Sequence, residues 1–297
     1  MKYQISSLLL LIAISTTTFA GEKIDKTLTV QPNGSVEIIV VKTDVEVKVW
    51  DKAEVRVVGE LDDDAERFIF ETSGSETTIE IEIDDGHFGR HWSMDSDSHL
   101  TIHIPSNSSL HAGGVSSDFS VTGVKGGTEV ESVSGDIDII GSIERIEIES
   151  VSGDINIKDS SGKMDISSVS GDITTNGKAL HFTAQTVSGD IEASIGISEQ
   201  LDLTTVSGDI EIDFVLAEDG HIEADTVSGD VTLNFANDVV NARFDIDTGP
   251  GGDIDNNITD DKPDSSFIGS EEIKFTSGNG NGTVDINTMS GNIDLEK

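Results

Sequence analysis

One five-residue phrase, Val-Ser-Gly-Asp-Ile, recurs through the second half of the chain and constrains its fold more than any other feature. Copies of the phrase begin at Val133, Val151, Val169, Val187 and Val206, and a copy that ends in valine begins at Val227. A weaker copy begins at Val115, and two degenerate copies cover residues 248–254 and 289–293. Their aspartates lie 18 residues apart from Asp118 to Asp190, and the spacing widens to 23 between Asp230 and Asp253. That period is too short for a βαβ unit or for a propeller blade. The sequence therefore predicts an all-β fold, a single-stranded parallel β-helix (solenoid) of about 18 residues per coil.

Composition agrees with such a fold and limits the partners. Glycines number 30, prolines four, and aromatic residues make up 5% of the 297, a mix typical of many short strands joined by tight turns. The net charge of −39 disfavours nucleic acid and anionic lipid as partners. There is no cysteine, which excludes a cysteine-anchored lipoprotein, thiolate metal sites and a cysteine nucleophile.

Residues 1–20 have the pattern of a signal peptide. Lys2 is followed by an apolar run over residues 8–14, and Thr18-Phe19-Ala20 forms a small-x-small cleavage site before Gly21. The apolar run is too short to cross a bilayer. We therefore expect an exported protein that is periplasmic, bound at the cell surface or secreted.

The remaining chain divides into two predicted regions. Residues 21–104 alternate apolar and polar side chains, which predicts an N-terminal β-strand region capping the solenoid. Residues 105–297 form the repeat region, with an excursion loop predicted near 249–271, where Gly249-Pro250-Gly251-Gly252 precedes an acidic run. No helical cap follows the last repeat, so exposed backbone groups of the last coil predict end-to-end self-association.

The packing of one coil can be predicted from side-chain alternation. Along Val151–Ile157 the odd positions share a face, which predicts that Val151, Ile155 and Ile157 are buried. Ile146 and Ile148 supply a second inward pair on the opposite parity, so a corner lies between the two pairs. Ser152 and Asp154 are then predicted to face water.

Stacking the phrase predicts two outward columns. The serine column contains Ser134, Ser152, Ser170, Ser188, Ser207 and Ser228. The aspartate column contains Asp118, Asp136, Asp154, Asp172, Asp190, Asp209, Asp230 and Asp253. Stacked carboxylates repel one another. Two compensations remain open: Ca²⁺ shared between coils, or hydrogen bonds in which each aspartate holds its own corner.

Histidines and carboxylates concentrate in one segment. Five of the seven histidines lie within residues 87–111. The set of candidate ligands is Asp84, Asp85, His87, His91, Asp95, Asp97, His99, His103 and His111. Such a cluster can bind zinc, although Gly86 and Gly89 argue against the helix that His87 and His91 would need. The alternative is an exposed hairpin tip with Phe88 and Trp92 folded onto it.

The repeats resemble those of a bacterial β-strand-repeat family labelled "putative adhesin", whose members are otherwise domains of unknown function. The resemblance rests on the Ser-Gly-Asp-Ile copies, on residues 34–37, 45–51 and 55–59, and on the strand at 99–105 that ends in proline. This sequence differs from that family at Thr43-Asp44, where the family usually has Gly-Asp. The resemblance implies the fold and an adhesive or scaffolding role, and it implies no catalytic residues.

These features predict a secreted, non-catalytic β-solenoid that binds or scaffolds a partner of the cell envelope, either a protein or a glycan. The alternative is a polysaccharide-active β-helix lyase or hydrolase with its site in the 84–99 loop or the 249–271 excursion. The basic residues of the repeats (Lys125, Arg145, Lys158, Lys163 and Lys178) are interpreted as lying at unrelated positions, which disfavours an enzyme. No catalytic residue, cofactor or metal ligand is assigned beyond the open question of Ca²⁺.

Overall fold

The computed structural model describes residues 22–62, 65–83, 98–267 and 269–297. These residues form 23 β-strands and no helix, so no helical membrane span occurs among them. Most neighbouring strands pair in parallel, in register from one coil to the next, which confirms the predicted all-β solenoid. The predicted signal peptide at 1–20 lies outside the described residues, and the predicted division between residues 104 and 105 stays a prediction.

The N-terminal strands build the first coils and cover their outer side. Their bounds are β1 Glu22–Thr29, β2 Ser35–Val41, β3 Thr43–Trp50, β4 Glu54–Leu61, β5 Ala65–Ser73, β6 Glu76–Ile83, β7 Ser98–Pro105, β8 Ser109–Val115 and β9 Phe119–Thr122. The coil of β2 and β3 lies between the β6–β7 coil and the β8–β9 coil. Strands β4 and β5 pair antiparallel with β7 and β6, and β1 pairs with β4.

The middle of the chain is a regular stack. Its strands are β10 Thr128–Ser132, β11 Ile137–Ile140, β12 Ile143–Ser152, β13 Ile155–Ser170, β14 Ile173–Ser188, β15 Ile191–Ser207, β16 Ile210–Ser228 and β17 Val231–Phe235. Each long strand begins on one face of the solenoid, bends at a register shift such as Lys158/Ser160, and ends on a second face. We call the second face, which carries β2, β8, β10 and the residues that lead up to and include the first residue of each phrase, face A.

The C-terminal strands repeat the arrangement found at the other end. They are β18 Ala242–Thr248, β19 Ile254–Asn256, β20 Asp264–Ser265, β21 Glu271–Ser277, β22 Gly282–Thr288 and β23 Ile293–Glu296. Strand β22 pairs on one side with β16 and on the other with β18, and β23 likewise lies between β17 and β19. The last coil of the chain is therefore internal, so the predicted exposure of its backbone is wrong.

The outer edge at this end is formed by strands that precede the last coil. Strand β21 covers β18 antiparallel, and within the described part of the chain its free side pairs only with the two residues of β20. Strand β19 still belongs to the stack, so the chain leaves it after Asn256 rather than at Gly249. End-to-end association stays a prediction, and the edge it would use is β21.

The core is a stack of aliphatic side chains in register. Ile137, Ile155, Ile173, Ile191 and Ile210 follow one another across five coils, and each is at most 1% exposed. Ile157, Ile146 and Ile148 are fully buried, as predicted. Phenylalanines thicken the core near the C-terminal end, where the rings of Phe244 and Phe275 stack with centroids 4.3 Å apart.

The prediction that Val151 belongs to the core is wrong. Its side chain is 48% exposed, and the residue before it, Ser150, points inward instead. The alternation of buried and exposed side chains is interrupted here because Val-Ser-Gly-Asp forms the corner of the coil rather than a straight strand. Gly153 has a φ of 120°, and this turn resets the parity before Ile155 enters the core.

Candidate binding face of the solenoid

The predicted aspartate column exists and is a hydrogen-bonded ladder. The Oδ1 atom of each aspartate accepts a hydrogen bond from the backbone N–H of the aspartate one coil further on, as between Asp136 and the amide of Asp154 at 2.9 Å. The same bond recurs at 2.8 to 3.0 Å from Asp118 through Asp230. Each carboxylate therefore ties two coils together.

The order of the ladder corrects the alignment made from sequence. Asn292, not Asp253, follows Asp230, because the amide of Asn292 donates to Asp230 Oδ1 at 2.6 Å. Asp253 comes next and donates its amide to Asn292 Oδ1 at 3.1 Å. At the other end, Val45 pairs with Phe119, which places Asp44 beside Asp118. The corner hypothesis is thus modified, since each aspartate holds the next corner rather than its own.

The aspartate ladder predicts that the side-chain oxygen that accepts the hydrogen bond, rather than the negative charge of the carboxylate, stabilises the fold. In the double variant Asp154→Asn/Asp172→Asn the acceptor remains, as it does naturally at Asn292, and repulsion between neighbouring carboxylates falls. We expect its melting temperature to equal or exceed that of the wild type. Asp154→Ala/Asp172→Ala should lose about 1–2 kcal/mol per site, because one hydrogen bond and one amide partner disappear.

Thermal unfolding with and without millimolar Ca²⁺ separates this role from an ion site. A calcium-dependent rise in melting temperature that the asparagine variant abolishes would establish the shared Ca²⁺ instead.

The predicted serine column is also exposed, but a second hydroxyl column was missed. The backbone carbonyl oxygens of the outward serines accept hydrogen bonds from glycine amides of the preceding coil, as Ser152 does from the amide of Gly135 at 3.2 Å. Immediately before each phrase a serine or threonine points inward and is at most 6% exposed. This buried column contains Ser132, Ser150, Ser168, Thr186, Thr205 and Thr226.

The first residue of each phrase forms a solvent-exposed apolar column on face A, which we call the valine ladder. Its members are Val115, Val133, Val151, Val169, Val187, Val206 and Val227. Each of these side chains is between 41% and 49% exposed. Met289, on the inserted last coil, is 68% exposed at the equivalent place. A continuous apolar column on the surface of so acidic a protein is the unusual feature of this face.

A groove of about 650 Å³ follows the N-terminal half of the valine ladder. Its apolar lining comes from Ile39, Val41, Val115, Val133, Val151 and Val169. Gly113 contributes to its width, because a Cβ atom added there would meet no atom within 4 Å. Among the described residues that line the groove the charged ones are Glu131 and Glu149, and none is basic.

A column of acidic residues runs parallel to the valine ladder on face A. Glu129, Glu147 and Asp165 are neighbours in register on successive coils, two residues upstream of the positions occupied by Glu131 and Glu149. The aspartate ladder runs on the other side of the valines, three residues after each. The valine ladder is therefore bordered by carboxylates along both sides.

The basic residues of the repeats are partly aligned, so their interpretation as unrelated is wrong for two of them. Arg145 is paired in register with Lys163, and Lys163 with His181. Arg145 donates hydrogen bonds to Glu147 on the neighbouring column, which offsets the repulsion between stacked cations. The interval of 18 residues between these positions equals the repeat period and could have revealed the alignment.

A match to a protein-family model identifies the family of this chain. The model described as Toastrack DUF4097 matches residues 112–221 and residues 196–296, together more than half of the chain. The chain belongs to the Toastrack DUF4097 family. The resemblance noted from the Ser-Gly-Asp-Ile copies is thereby confirmed, and the name of the family states no function.

Two solved structures are similar to this Toastrack protein. A "putative adhesin" from Bacteroides fragilis is 13% identical, with 92% of this chain and 97% of the other covered and a TM-score of 0.46. A "putative cell adhesion protein" from Clostridium sporogenes is 9% identical, with 93% and 99% covered and a TM-score of 0.20. No curated protein matches the sequence.

The predicted histidine cluster of the Toastrack chain is only partly described. Residues 84–97, with His87 and His91, lie outside the described residues, whereas His99 and His103 lie on β7 and His111 on β8. The ring of His103 packs against Trp50, with centroids 5.1 Å apart. Burial and then the nearby Lys48 lower the pKa of His103, which therefore favours the neutral ring.

Among the described histidines of the predicted cluster, His111 lies beside two carboxylates. His111 Nδ1 lies 3.4 Å from Glu129 Oε1. Glu131 adds a third ligand atom, so that His111, Glu129 and Glu131 each offer one ligand atom within 4.8 Å of the other two. His111 and Glu129 are 18 residues apart, so the repeat period places them side by side. The set could hold a divalent cation, and it lies beside the groove.

A second carboxylate cluster lies next to the C-terminal edge. Asp245, Asp247 and Glu272 bring one oxygen each within 4.8 Å of one another. Burial, followed by the charges of Glu272 and Asp245, raises the pKa of Asp247. Lys274 lies 3.3 Å from Asp245 and 2.8 Å from Glu272, so a cation of the protein already compensates part of this cluster.

Proposed function

We propose that this protein is an exported, non-catalytic β-solenoid of the adhesin or scaffold class, which binds a component of the cell envelope through the valine ladder. The signal-peptide pattern of residues 1–20 supports export. The single observation that carries the binding role is the exposure of the ladder, a column of seven valines on the surface.

The valine ladder lies outside the core of the fold. The core is formed by buried residues such as the isoleucines of each coil, whereas each valine of the ladder is 41% to 49% exposed. Scattered apolar residues on a surface need no explanation, but a contiguous apolar patch bordered by polar residues is typical of an interaction site. The patch extends along the stack, as a scaffold surface requires.

The composition of the groove supports binding rather than catalysis. Valine, isoleucine, glycine and serine dominate its lining, and these residues offer contact area instead of acid–base groups.

The polysaccharide-enzyme alternative can be tested at the Asp245–Asp247–Glu272 cluster, which lies in the described part of the chain near the predicted excursion. Incubation with envelope polysaccharides should release no new reducing or unsaturated ends. Release that Asp247→Asn abolishes would establish the enzyme instead.

Co-sedimentation of the purified chain with isolated cell envelopes tests the proposed function. We expect saturable binding of the wild type that falls about tenfold in the triple variant Val133→Thr/Val151→Thr/Val169→Thr, because three apolar contact groups become polar. Threonine is also β-branched and should preserve the strands. A matched control, Ser134→Thr/Ser152→Thr/Ser170→Thr, changes the neighbouring outward column. Envelope binding that the valine variant leaves unchanged would contradict the proposal.

A further inference from the structure

We propose that the occupant of the groove is a cationic amphipathic α-helix of a partner protein, lying along the solenoid axis on the valine ladder. The inference rests on the proposed function and names the chemistry of its partner. Three properties of face A carry it: the spacing of the valines, the length of the groove and the charge along its sides.

The spacing of the valine ladder fits a helix. Strands of neighbouring coils are about 4.8 Å apart, so Val133, Val151 and Val169 span about 10 Å. The apolar stripe of an α-helix repeats every turn, about 5.4 Å, and two repeats differ from the two steps of the ladder by about 1 Å. An extended strand along the axis presents same-face side chains about 6.7 Å apart and would be out of step by about 4 Å.

The length of the groove sets the length of the helix. The groove spans five coils, from β2 with Ile39 to β13 with Val169, which corresponds to four steps and about 19 Å. At 1.5 Å per residue this accommodates about 13 helical residues. Gly113 leaves the open space near the N-terminal end of this path into which a large apolar side chain of the helix fits.

The charge of the surroundings selects a basic helix. Glu131 and Glu149 lie within the groove, and the aspartate ladder follows one of its sides. Glu129 and Glu147 flank the other side, where His111 lies beside Glu129 and Arg145 already pairs with Glu147. Lysines or arginines on both flanks of a helix would meet these carboxylates while the apolar stripe covers the valines. A second copy of this chain and an anionic lipid surface carry the same negative sign and are disfavoured.

Fluorescence anisotropy of the full chain with a synthetic 18-residue leucine–lysine peptide tests the inference. The peptide places leucine at i, i+3, i+4 and i+7 and lysine elsewhere. We expect saturable binding that is at least tenfold tighter than for a scrambled peptide of the same composition, which keeps the charge and loses the stripe. A leucine–glutamate peptide of the same pattern should not bind.

Variants locate the site. Val133→Thr/Val151→Thr/Val169→Thr should weaken peptide binding about tenfold, whereas Val187→Thr/Val206→Thr/Val227→Thr, in the same ladder but outside the groove, should change it less than threefold. Glu131→Gln/Glu149→Gln should weaken it and reduce its dependence on salt. Equal binding of the scrambled peptide, or equal effects of the two valine variants, would overturn the inference.

Two outcomes separate this inference from the function on which it rests. If envelope binding depends on Val133, Val151 and Val169 but the leucine–lysine peptide does not bind, the occupant is of another class and the envelope-binding role stands. If the chain dimerises through the groove in sedimentation velocity and the groove variant is monomeric, a second copy is the occupant and the helix is excluded.

Discussion

Gly171→Ala is expected to destabilise the protein by about 3 kcal/mol or more, although the change adds one methyl group at a surface corner. Gly171 has a φ of 134°, a conformation that costs an alanine roughly 1–3 kcal/mol. An added Cβ atom would lie 2.1 Å from the carbonyl oxygen of Gly153 in the preceding coil. That oxygen is a backbone atom at the corner of the neighbouring coil and cannot rotate away. Relieving the clash would therefore shift the neighbouring coil, which would cost about 1–3 kcal/mol of stability.

Urea unfolding followed by circular dichroism measures the loss, and Gly113→Ala is the matched control. An added Cβ at Gly113 meets nothing within 4 Å, and its backbone is not in the left-handed region, so the free energy of unfolding should stay within about 0.5 kcal/mol. A loss below 1 kcal/mol for Gly171→Ala would show that the coils can separate locally at this corner. The same geometry recurs at Gly153 and Gly189, so either serves as a replicate.

The sequence was sufficient to predict the solenoid because its period and its aliphatic positions are two independent signals of one structure. Ile155 and Ile157 were placed correctly, since they follow the corner and begin a strand with simple alternation. The prediction for Val151 is wrong because the alternation of inward and outward side chains does not continue through Gly153, whose positive φ resets the side-chain parity. The exposed valine ladder, on which the proposed function depends, therefore emerged only from the backbone conformation.

Part of the binding face could have been found from the repeat period alone. Residues 18 positions apart become neighbours across coils, which brings together His111 and Glu129, and Arg145 and Lys163. Most of face A is formed by the residues that precede the phrase, and the phrase alone does not align them. The 18-residue period aligns their acidic and basic columns, but it does not give the distance of these columns from the groove.

The order of coils at the two ends could not be predicted from the repeat. Copies in a repeat protein are expected to stack in chain order, because each one makes contact with its sequence neighbours. Here β2–β3 and β22–β23 are each inserted next to the outermost coil rather than placed at the edge. The 39 residues between Asp253 and Asn292 permit either order, and only the pairing of strands distinguishes them.

This insertion predicts that removing the last coil has a much larger effect than the loss of a terminal repeat. Deletion of residues 282–297 removes four buried aliphatic side chains, Val284, Ile286, Ile293 and Leu295. At about 1.5–3 kcal/mol each, they contribute at least 6 kcal/mol, comparable to the whole stability of many domains. The deletion also takes away the parallel partner of β18, so we expect the strands from β18 to β21 to detach and unfold.

Hydrogen exchange followed by mass spectrometry measures the effect at β18. In the wild type its amides lie between β22 and β21 and should be strongly protected, whereas after the deletion they should exchange at nearly unprotected rates. Strand β14, far from the inserted coil, should keep its protection if the remaining stack survives. Deleting only Glu296 and Lys297, which are exposed, is the control and should leave β18 protected. Protection of β18 after the longer deletion would mean that β18 can pair directly with β16, and that the last coil is dispensable to the stack.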